Sequence, residues 1–295
     1  MDSEEISDHP ITPEWPVPFG VIPDEHDIPS LLELALATAA EAAGLAAAER
    51  AVAVSRISTK STVNDVVTAA DKAAEELIVA RLSAARPGDS FIGEEGGSRG
   101  EARDGVRWIV DPIDGTVNYV YGMPYYAVSL AAEARGRLLV GVVRNIATGT
   151  VYHASAGAGA FRDGLPVRCN EPAELGRSML ATGFGYDPDQ RARQGALLAG
   201  VIPHVRDIRR TGSAALDLCM VADGTVDAYY ESGPNVWDYA AGGIIAAEAG
   251  AVVGGLWGDV PGRSMILAAA PAIAGPLRGL LQSRKADTAY RSVTR

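Results

Sequence analysis

The chain has 295 residues, 47% hydrophobic and 21% charged, enough apolar side chain for one large core or two moderate ones at a charge content ordinary for a globular protein. Most of the net charge of −11 sits in residues 1–29, which hold eight acids and no Lys or Arg, leaving about −3 on the body. A mildly acidic body without a basic stripe argues against nucleic acid as the main ligand and for a small molecule. Two cysteines fifty residues apart, Cys169 and Cys219, suggest neither a disulfide framework nor a thiolate metal site.

Residues 1–29 combine those acids with six prolines and few apolar side chains, which predicts a disordered extension. Ser30 and Glu33 form a capping-box pattern, so a first helix is expected over residues 30 to about 50. Its Ala-rich stretch is broken by Glu33, Glu41 and Gly44, and no segment is expected to span a membrane. With reduced cysteines, this points to a cytoplasmic protein. Residues 60–71 read as a loop or short strand feeding a second helix over about 69–85, which Pro87-Gly88 closes. Phe91 and Ile92 lead into Gly93-Glu94-Glu95-Gly96-Gly97, where one of two adjacent acids can face a site while the other turns away.

Trp108, Ile109 and Val110 then read as a buried strand that ends at Asp111, because Pro112 cannot continue a central strand. Asp114 follows three residues on, and Gly115-Thr116 supply the backbone freedom and hydroxyl expected where a loop enters a helix. Asp-Pro is also a common turn opener, and Asp114 would serve as a plain helix cap. The apolar strand before the pair, the Gly-Thr after it and isolated acids elsewhere favour a site. Two carboxylates beside free N–H groups at one strand end suit a divalent cation and a phosphate together.

Past Tyr125, residues 127–133, 138–144 and 151–154, punctuated by Arg135-Gly136 and Thr148-Gly149, predict an antiparallel meander. Gly157-Ala158-Gly159 is followed by Asp163-Gly164, a hairpin turn, and not by the long helix a dinucleotide loop requires. Strands at 179–182, 205–209 and 228–230 then alternate with helices at 190–201, 213–223 and from Trp237-Asp238 to Ala249, ended by Gly250, an α/β pattern. Asp238, at a helix start, is either a cap or a ligand. The chain thus divides into an N-terminal α+β metal-binding half (30–168), a C-terminal α/β half (169–285) and a short tail (286–295).

Taken in order, Gly93-Glu94-Glu95, Asp111-Pro112-Ile113-Asp114-Gly115-Thr116, Gly212-Ser213-Ala214, Glu231 and Trp237-Asp238 before an Ala/Gly-rich helix resemble the inositol monophosphatase family. Its members are magnesium-dependent, lithium-sensitive phosphomonoesterases. The resemblance covers residues 60 to 250 and implies a layered α-β-α-β-α sandwich, α/β overall, in a homodimer. It implies Glu94, Asp111 and the Ile113 carbonyl as ligands of one Mg2+ and Asp111, Asp114 and Asp238 as ligands of a second, with a weaker third ion near Glu94. Lys60 would lie by that third ion and the phosphate, and Asp71 would pair with Thr116 to orient the attacking water. The N–H groups of Gly115 and Thr116 would bind phosphate oxygens, and Glu95 would play a supporting role. Glu231 would accept a hydrogen bond from a sugar hydroxyl, with Asp114 and Ala214 beside the ring. The resemblance thus makes inositol 1-phosphate, a small phosphorylated polyol, the first expected substrate. Histidinol phosphate, fructose 1,6-bisphosphate and 3'-phosphoadenosine 5'-phosphate are alternatives on the same scaffold, and a non-catalytic regulatory or scaffolding protein is the alternative of another class.

Two carboxylates about 4 Å apart repel by ~4 kcal/mol at an effective dielectric near 20, so four acids in one cleft call for cations between them. An oxygen-only set without His or Cys selects a hard ion, magnesium first and Mn2+ as a substitute. Rival phosphatase chemistries lack their letters here. An aspartyl-phosphate enzyme wants Asp-x-Asp, whereas Asp111 and Asp114 are three apart; a thiolate enzyme wants Cys-x5-Arg, whereas Cys169 is eight before Arg177; and no Gly-x-Ser-x-Gly occurs.

Overall fold

The computed structural model describes residues 26–56, 63–100, 105–172, 174–258, 260–284 and 286. The extension expected over residues 1–29 lies outside them up to residue 25, and Lys60 and most of the expected C-terminal tail are outside them too. The first helix, α1 (Ile28–Arg56), starts two residues earlier than expected. Its cap is Asp27, not Ser30: Asp27 Oδ1 accepts from the Ser30 N–H at 3.2 Å and Oδ2 from the Ser30 hydroxyl at 2.6 Å. The carboxylate satisfies a free first-turn N–H that a Ser30 cap would have left outside the helix. α2 (Val63–Ala85) also starts early, so the part of the expected loop or strand from residue 63 onward is helical. The β-branched residues there favour strand only weakly, a local preference that does not keep them out of the helix.

The strands of the first sheet are β1 (Ser90–Gly93), β2 (Gly97–Arg99), β3 (Arg107–Asp114), β4 (Ala127–Ala134), β5 (Arg137–Asn145), β6 (Val151–Ser155), β7 (Gly159–Arg162) and β8 (Leu165–Val167), with α3 (Thr116–Tyr121) between β3 and β4. They order as β2-β1-β3-β4-β5-β6-β7-β8, antiparallel throughout except for the β1–β3 pair. The expected meander is β4–β6, and Asp163 and Gly164, at φ 50 and 78, make the two-residue turn joining β7 to β8.

A second sheet, β10-β9-β11-β13-β12, is built from β9 (Met179–Thr182), β10 (Asp207–Arg209), β11 (Ala228–Glu231), β12 (Val252–Gly254) and β13 (Ile266–Ala269). Its helices are α4 (Pro188–Val201), α5 (Ala214–Ala222), α6 (Val236–Glu248) and α7 (Pro271–Ser283). Side chains alternate across the first sheet: Trp108 and Val110 pack towards α1 and α2, while Ile109 packs towards α5 and α6. The reverse sides of α5 and α6, among them Leu218 and Tyr239, meet Tyr229 and Ile266 of the second sheet. That sheet's outer face buries Leu180 and Leu267 against α4 and α7. The layers are therefore α-β-α-β-α. α5 and α6 are sandwiched between two sheets and have no solvent face, which is why their sequences are apolar all round.

The α1 stretch Ile28–Arg50 is long and apolar enough to cross a membrane by composition. Here its Leu31, Ala35, Ala39, Ala42 and Ala46 are buried in the core against the first sheet. Cys169 and Cys219 are both free thiols.

Candidate active site

β3 does not stop at Asp111 as expected; it runs to Asp114 through an irregularity. Asp111 pairs with Ser129 and Asp114 with Ala127, so three steps on β3 oppose two on β4. Pro112, with no N–H to give a ladder, lies in the bulge, and Asp111 Oδ1 accepts instead from the Ile113 N–H at 3.0 Å. The bulge turns both aspartates to one end of the strand. Gly115 follows in the left-handed region (φ 87), where a Cβ would lie 2.6 Å from the Tyr125 carbonyl oxygen, so the entry into α3 requires glycine.

Asp114 reaches into the other half of the chain. Its Oδ2 accepts from the Ser213 hydroxyl at 2.5 Å and the Ala215 N–H at 2.8 Å. Ser213 is at the same time the cap of α5, accepting from the Leu216 N–H at 3.2 Å. Asn118 adds a second tie by donating to the carbonyls of Tyr125 (2.7 Å) and Thr211 (2.8 Å). Asp238, in the first turn of α6, accepts from the Asn235 N–H at 2.6 Å, and Ser129 of β4 donates to the adjacent Trp237 carbonyl at 3.3 Å. Asp238 is thus the third residue of a capping box begun by Asn235, and it also faces the β3 acids: one carboxylate oxygen from each of Asp111, Asp114 and Asp238 lies within 4.8 Å of the others.

These residues line an open cleft at the ends of β1, β3 and β11 and the first turns of α3, α5 and α6, together with Glu94, Ile113, Gly115, Thr116, Ala214, Asp217, Glu231 and Arg210. Among the described residues, six carboxylates against one arginine make the cleft repel a phosphate unless cations are bound. The protonation behaviour says the same. Burial, then the charges of Glu94, Asp114 and Asp238, hold the Asp111 carboxyl well above the usual range. Burial and Asp114 do so for Asp238. Burial pushes Asp114 up to about 6 even though the Ser213 hydroxyl and backbone N–H groups pull it down. Glu94 keeps solvent access at the cleft edge, yet crowding by protein, then by Asp114, Glu95 and Glu75, raises it to about 7. A divalent cation would relieve all four at once, and an all-oxygen donor set fits a hard one.

Of the residues singled out in the sequence, Glu94, Asp111, Ile113, Asp114, Gly115, Thr116, Ala214, Glu231 and Asp238 all meet in this cleft. Asp71 lies behind it on α2, 4% exposed, with Oδ1 unpartnered. Burial and then Glu94, Glu95 and Glu75 push it up to about 8. The Thr116 hydroxyl donates to the Ile113 carbonyl at 3.0 Å, so in this structure it is not bonded to Asp71. Glu95 gives its N–H to Glu75 Oε2 at 2.9 Å.

Sequence reasoning passed over several contributors. Glu75 is buried one helical turn beyond Asp71, an i, i+4 spacing that puts both acids on one face of α2. A Cβ at Gly93 would lie 2.7 Å from its carboxylate, and one at Gly96 would overlap it, so this acid shapes the turn that presents Glu94. Asp217 is buried and accepts from the Thr211 hydroxyl at 2.7 Å. Phe184, Tyr186 and Arg210 also line the cleft; they follow strand ends, but no local pattern marks them.

The family model described as the inositol monophosphatase family matches residues 27–290 of the chain. The protein belongs to the inositol monophosphatase family. Among its relatives, the inositol-1-monophosphatase of Mycobacterium leprae is 50% identical over 233 residues, covering 76% of this chain and 80% of that one. The solved structure of Mycobacterium tuberculosis SuhB has a TM-score of 0.76 at 45% identity, covering 89% of this chain and 99% of that one. A Vibrio cholerae relative, 42% identical over 191 residues (64% of this chain, 72% of that one), carries the name Nus factor SuhB. As an inositol monophosphatase family member the protein is a phosphoric monoester hydrolase acting on a small phosphorylated substrate, and its Asp111, Asp114 and Asp238 form an acidic cluster suited to the metal on which the family depends.

Proposed function

We propose that the protein hydrolyses inositol 1-phosphate to inositol and phosphate with magnesium in the cleft. The observation that carries this reading is the convergence of Asp111, Asp114 and Asp238 oxygens within 4.8 Å, beside Glu94 and in the same cleft as Glu231. Glu94, Asp111 and the Ile113 carbonyl would hold one ion and Asp111, Asp114 and Asp238 another, with Mn2+ able to replace either. Bound there, a divalent cation supplies positive charge against the phosphate and lowers the pKa of water.

The chain's own residues do the rest. Asp71 is the proton acceptor: its unpartnered Oδ1 takes a proton passed on by the Thr116 hydroxyl, which must turn from the Ile113 carbonyl to do so. The Gly115 and Thr116 N–H groups donate to phosphate oxygens as negative charge builds. By the family resemblance, Lys60, outside the described residues, would add a positive charge to that phosphate, and Glu95 would support Glu94. Glu231 accepts from a ring hydroxyl and orients the polyol, with Ala214 beside it. A homodimer and lithium sensitivity belong to the same reading and rest on the family resemblance, and a cytoplasmic location rests on the unpaired cysteines.

Initial rates on inositol 1-phosphate, histidinol phosphate, fructose 1,6-bisphosphate and 3'-phosphoadenosine 5'-phosphate, with magnesium, with chelator and with lithium, test it. The expected result is a preference for inositol 1-phosphate that chelation abolishes. A preference for another of the four moves the substrate assignment, and metal-independent turnover removes the metal reading.

A further inference from the structure

Glu231 sits at the carboxyl end of β11 against the backbone that follows β9, because the two strands are parallel neighbours with Tyr230 opposite Thr182. The Thr182 hydroxyl donates to the Tyr230 carbonyl at 2.8 Å and locks that register. The next residue, Gly183, therefore lies directly against the Glu231 side chain. A Cβ at Gly183 would be 2.6 Å from Glu231 Oε1 and closer still to Oε2. The same oxygen, Oε2, is held by Tyr229, whose hydroxyl donates to it at 2.7 Å. Tyr229 is itself fully buried among the side chains of the second sheet and α5–α6, so its hydroxyl has a fixed position. Gly183 is not in the left-handed region, and the atoms a Cβ would meet are the movable end of a glutamate, not backbone. A side chain at 183 would thus displace the carboxylate rather than break the fold.

We propose that Gly183 and Tyr229 are positioning residues that together set the specificity of the cleft for polyhydroxylated phosphomonoesters, by fixing the Glu231 carboxylate where a substrate hydroxyl can donate to it. This rests on the reading of Glu231 as the hydroxyl acceptor. Orientation matters because a single hydroxyl–carboxylate bond has a narrow angular range, and a carboxylate moved off it loses the contact while still desolvated. Tyr229 also acts electrostatically: burial raises the Glu231 carboxyl to about 7, and the Tyr229 hydrogen bond is the first influence opposing it, so the tyrosine favours the ionised, purely accepting form.

The test compares Gly183→Ala, Tyr229→Phe and Glu231→Gln on inositol 1-phosphate and on p-nitrophenyl phosphate, which has no ring hydroxyl to offer, at saturating magnesium. The readout is the ratio of the two kcat/KM values, which a merely structural loss, scaling both substrates alike, would leave in place. Gly183→Ala should lower the ratio about tenfold, the value of one hydrogen bond, chiefly through KM for inositol 1-phosphate, and Tyr229→Phe should lower it several-fold. If Glu231→Gln lowers the ratio while the other two leave it unchanged, the positioning inference is overturned and the Glu231 assignment survives. If Glu231→Gln itself leaves the ratio unchanged, the hydroxyl-acceptor reading fails and takes the inference with it.

Discussion

Replacing Ser213 by alanine removes two hydrogen bonds and almost no apolar contact, so its effect can be worked out from the structure. The hydroxyl oxygen caps α5 by accepting from the Leu216 N–H, and losing such a cap costs about 1 kcal/mol. The same hydroxyl donates to Asp114 at 2.5 Å, and a buried hydrogen bond to an ionised group contributes roughly 1.5–3 kcal/mol. The Ala215 N–H still reaches Asp114, so the carboxylate is not left bare, and the two losses share one atom and will not add fully. Unfolding in urea with chelator, at a pH of about 8 where Asp114 is ionised, should therefore show a loss of about 2–4 kcal/mol with an unchanged denaturant slope. A cation titration of the folded variant should also show weaker Mn2+ binding, because the freed Asp114 loses its fixed orientation. A stability loss below about 0.5 kcal/mol, less than a lone cap, would refute both roles given to this hydroxyl.

Asp111→Asn should cut hydrolysis by about a thousandfold, several kcal/mol of transition-state stabilisation, while urea unfolding in chelator shows a fold at least as stable as wild type, since the Ile113 N–H keeps an acceptor and a buried charge is gone. An active variant would move the metal site elsewhere. Glu75→Ala should weaken Mn2+ binding by roughly tenfold in calorimetry by releasing the Glu95 N–H and the turn that presents Glu94, and Glu75→Gln, which keeps the acceptor, should recover most of it; equal losses in the two would mean that charge and not turn geometry is at work. For pH dependence, the folded carboxyls of Asp71 (about 8), Glu94 (about 7) and Asp114 (about 6) lie above their ordinary values of 3.8, 4.5 and 3.8, so the folded state binds more protons than the unfolded one across that range. Their stabilising contribution is complete below about pH 4 and is lost as pH rises through 6 to 8. The melting temperature in chelator should fall between pH 5 and 8.5, and saturating magnesium should remove the fall; a flat or rising curve in chelator would contradict these shifts.

The acids of the cleft were legible in the sequence because they sit beside local marks: Asp111 precedes the proline that breaks the β3 ladder, Asp114 ends β3, and Asp238 lies in the first turn of α6. The meander and the alternation of the second half were legible for a similar reason, since hydrophobic period and Gly-rich turns are local signals. What stayed hidden depends on contacts distant in the chain. The cap of α1 went to Asp27 because a carboxylate three residues back outcompetes a serine, a choice between two plausible letters. The β3 bulge needs β4 opposite it, and the Ser213–Asp114 bond joins residues 99 apart. Gly183 carries no pattern of its own; only the parallel pairing of β9 with β11 shows what its missing Cβ makes room for.

The three clustered aspartates share a design that separates ordering from charge. Each has one oxygen held by the chain itself: Asp111 by the Ile113 N–H, Asp114 by Ser213 and Ala215, Asp238 by the Asn235 N–H. These donors come from the acid's own turn or from the first turn of α5, so the arrangement is built as the helices and strands form and does not wait for a cation. Ligands already immobilised lose little entropy on binding, which leaves the ion to supply charge and the relief of mutual repulsion. Affinity should then follow the number of negative charges facing the cleft, and loss of an anchoring donor should act by letting a carboxylate turn away. At Asp114 and Asp238 the anchoring donors also pull the carboxyl back towards the ionised form against burial, so the groups that shape the site favour the charge a cation needs.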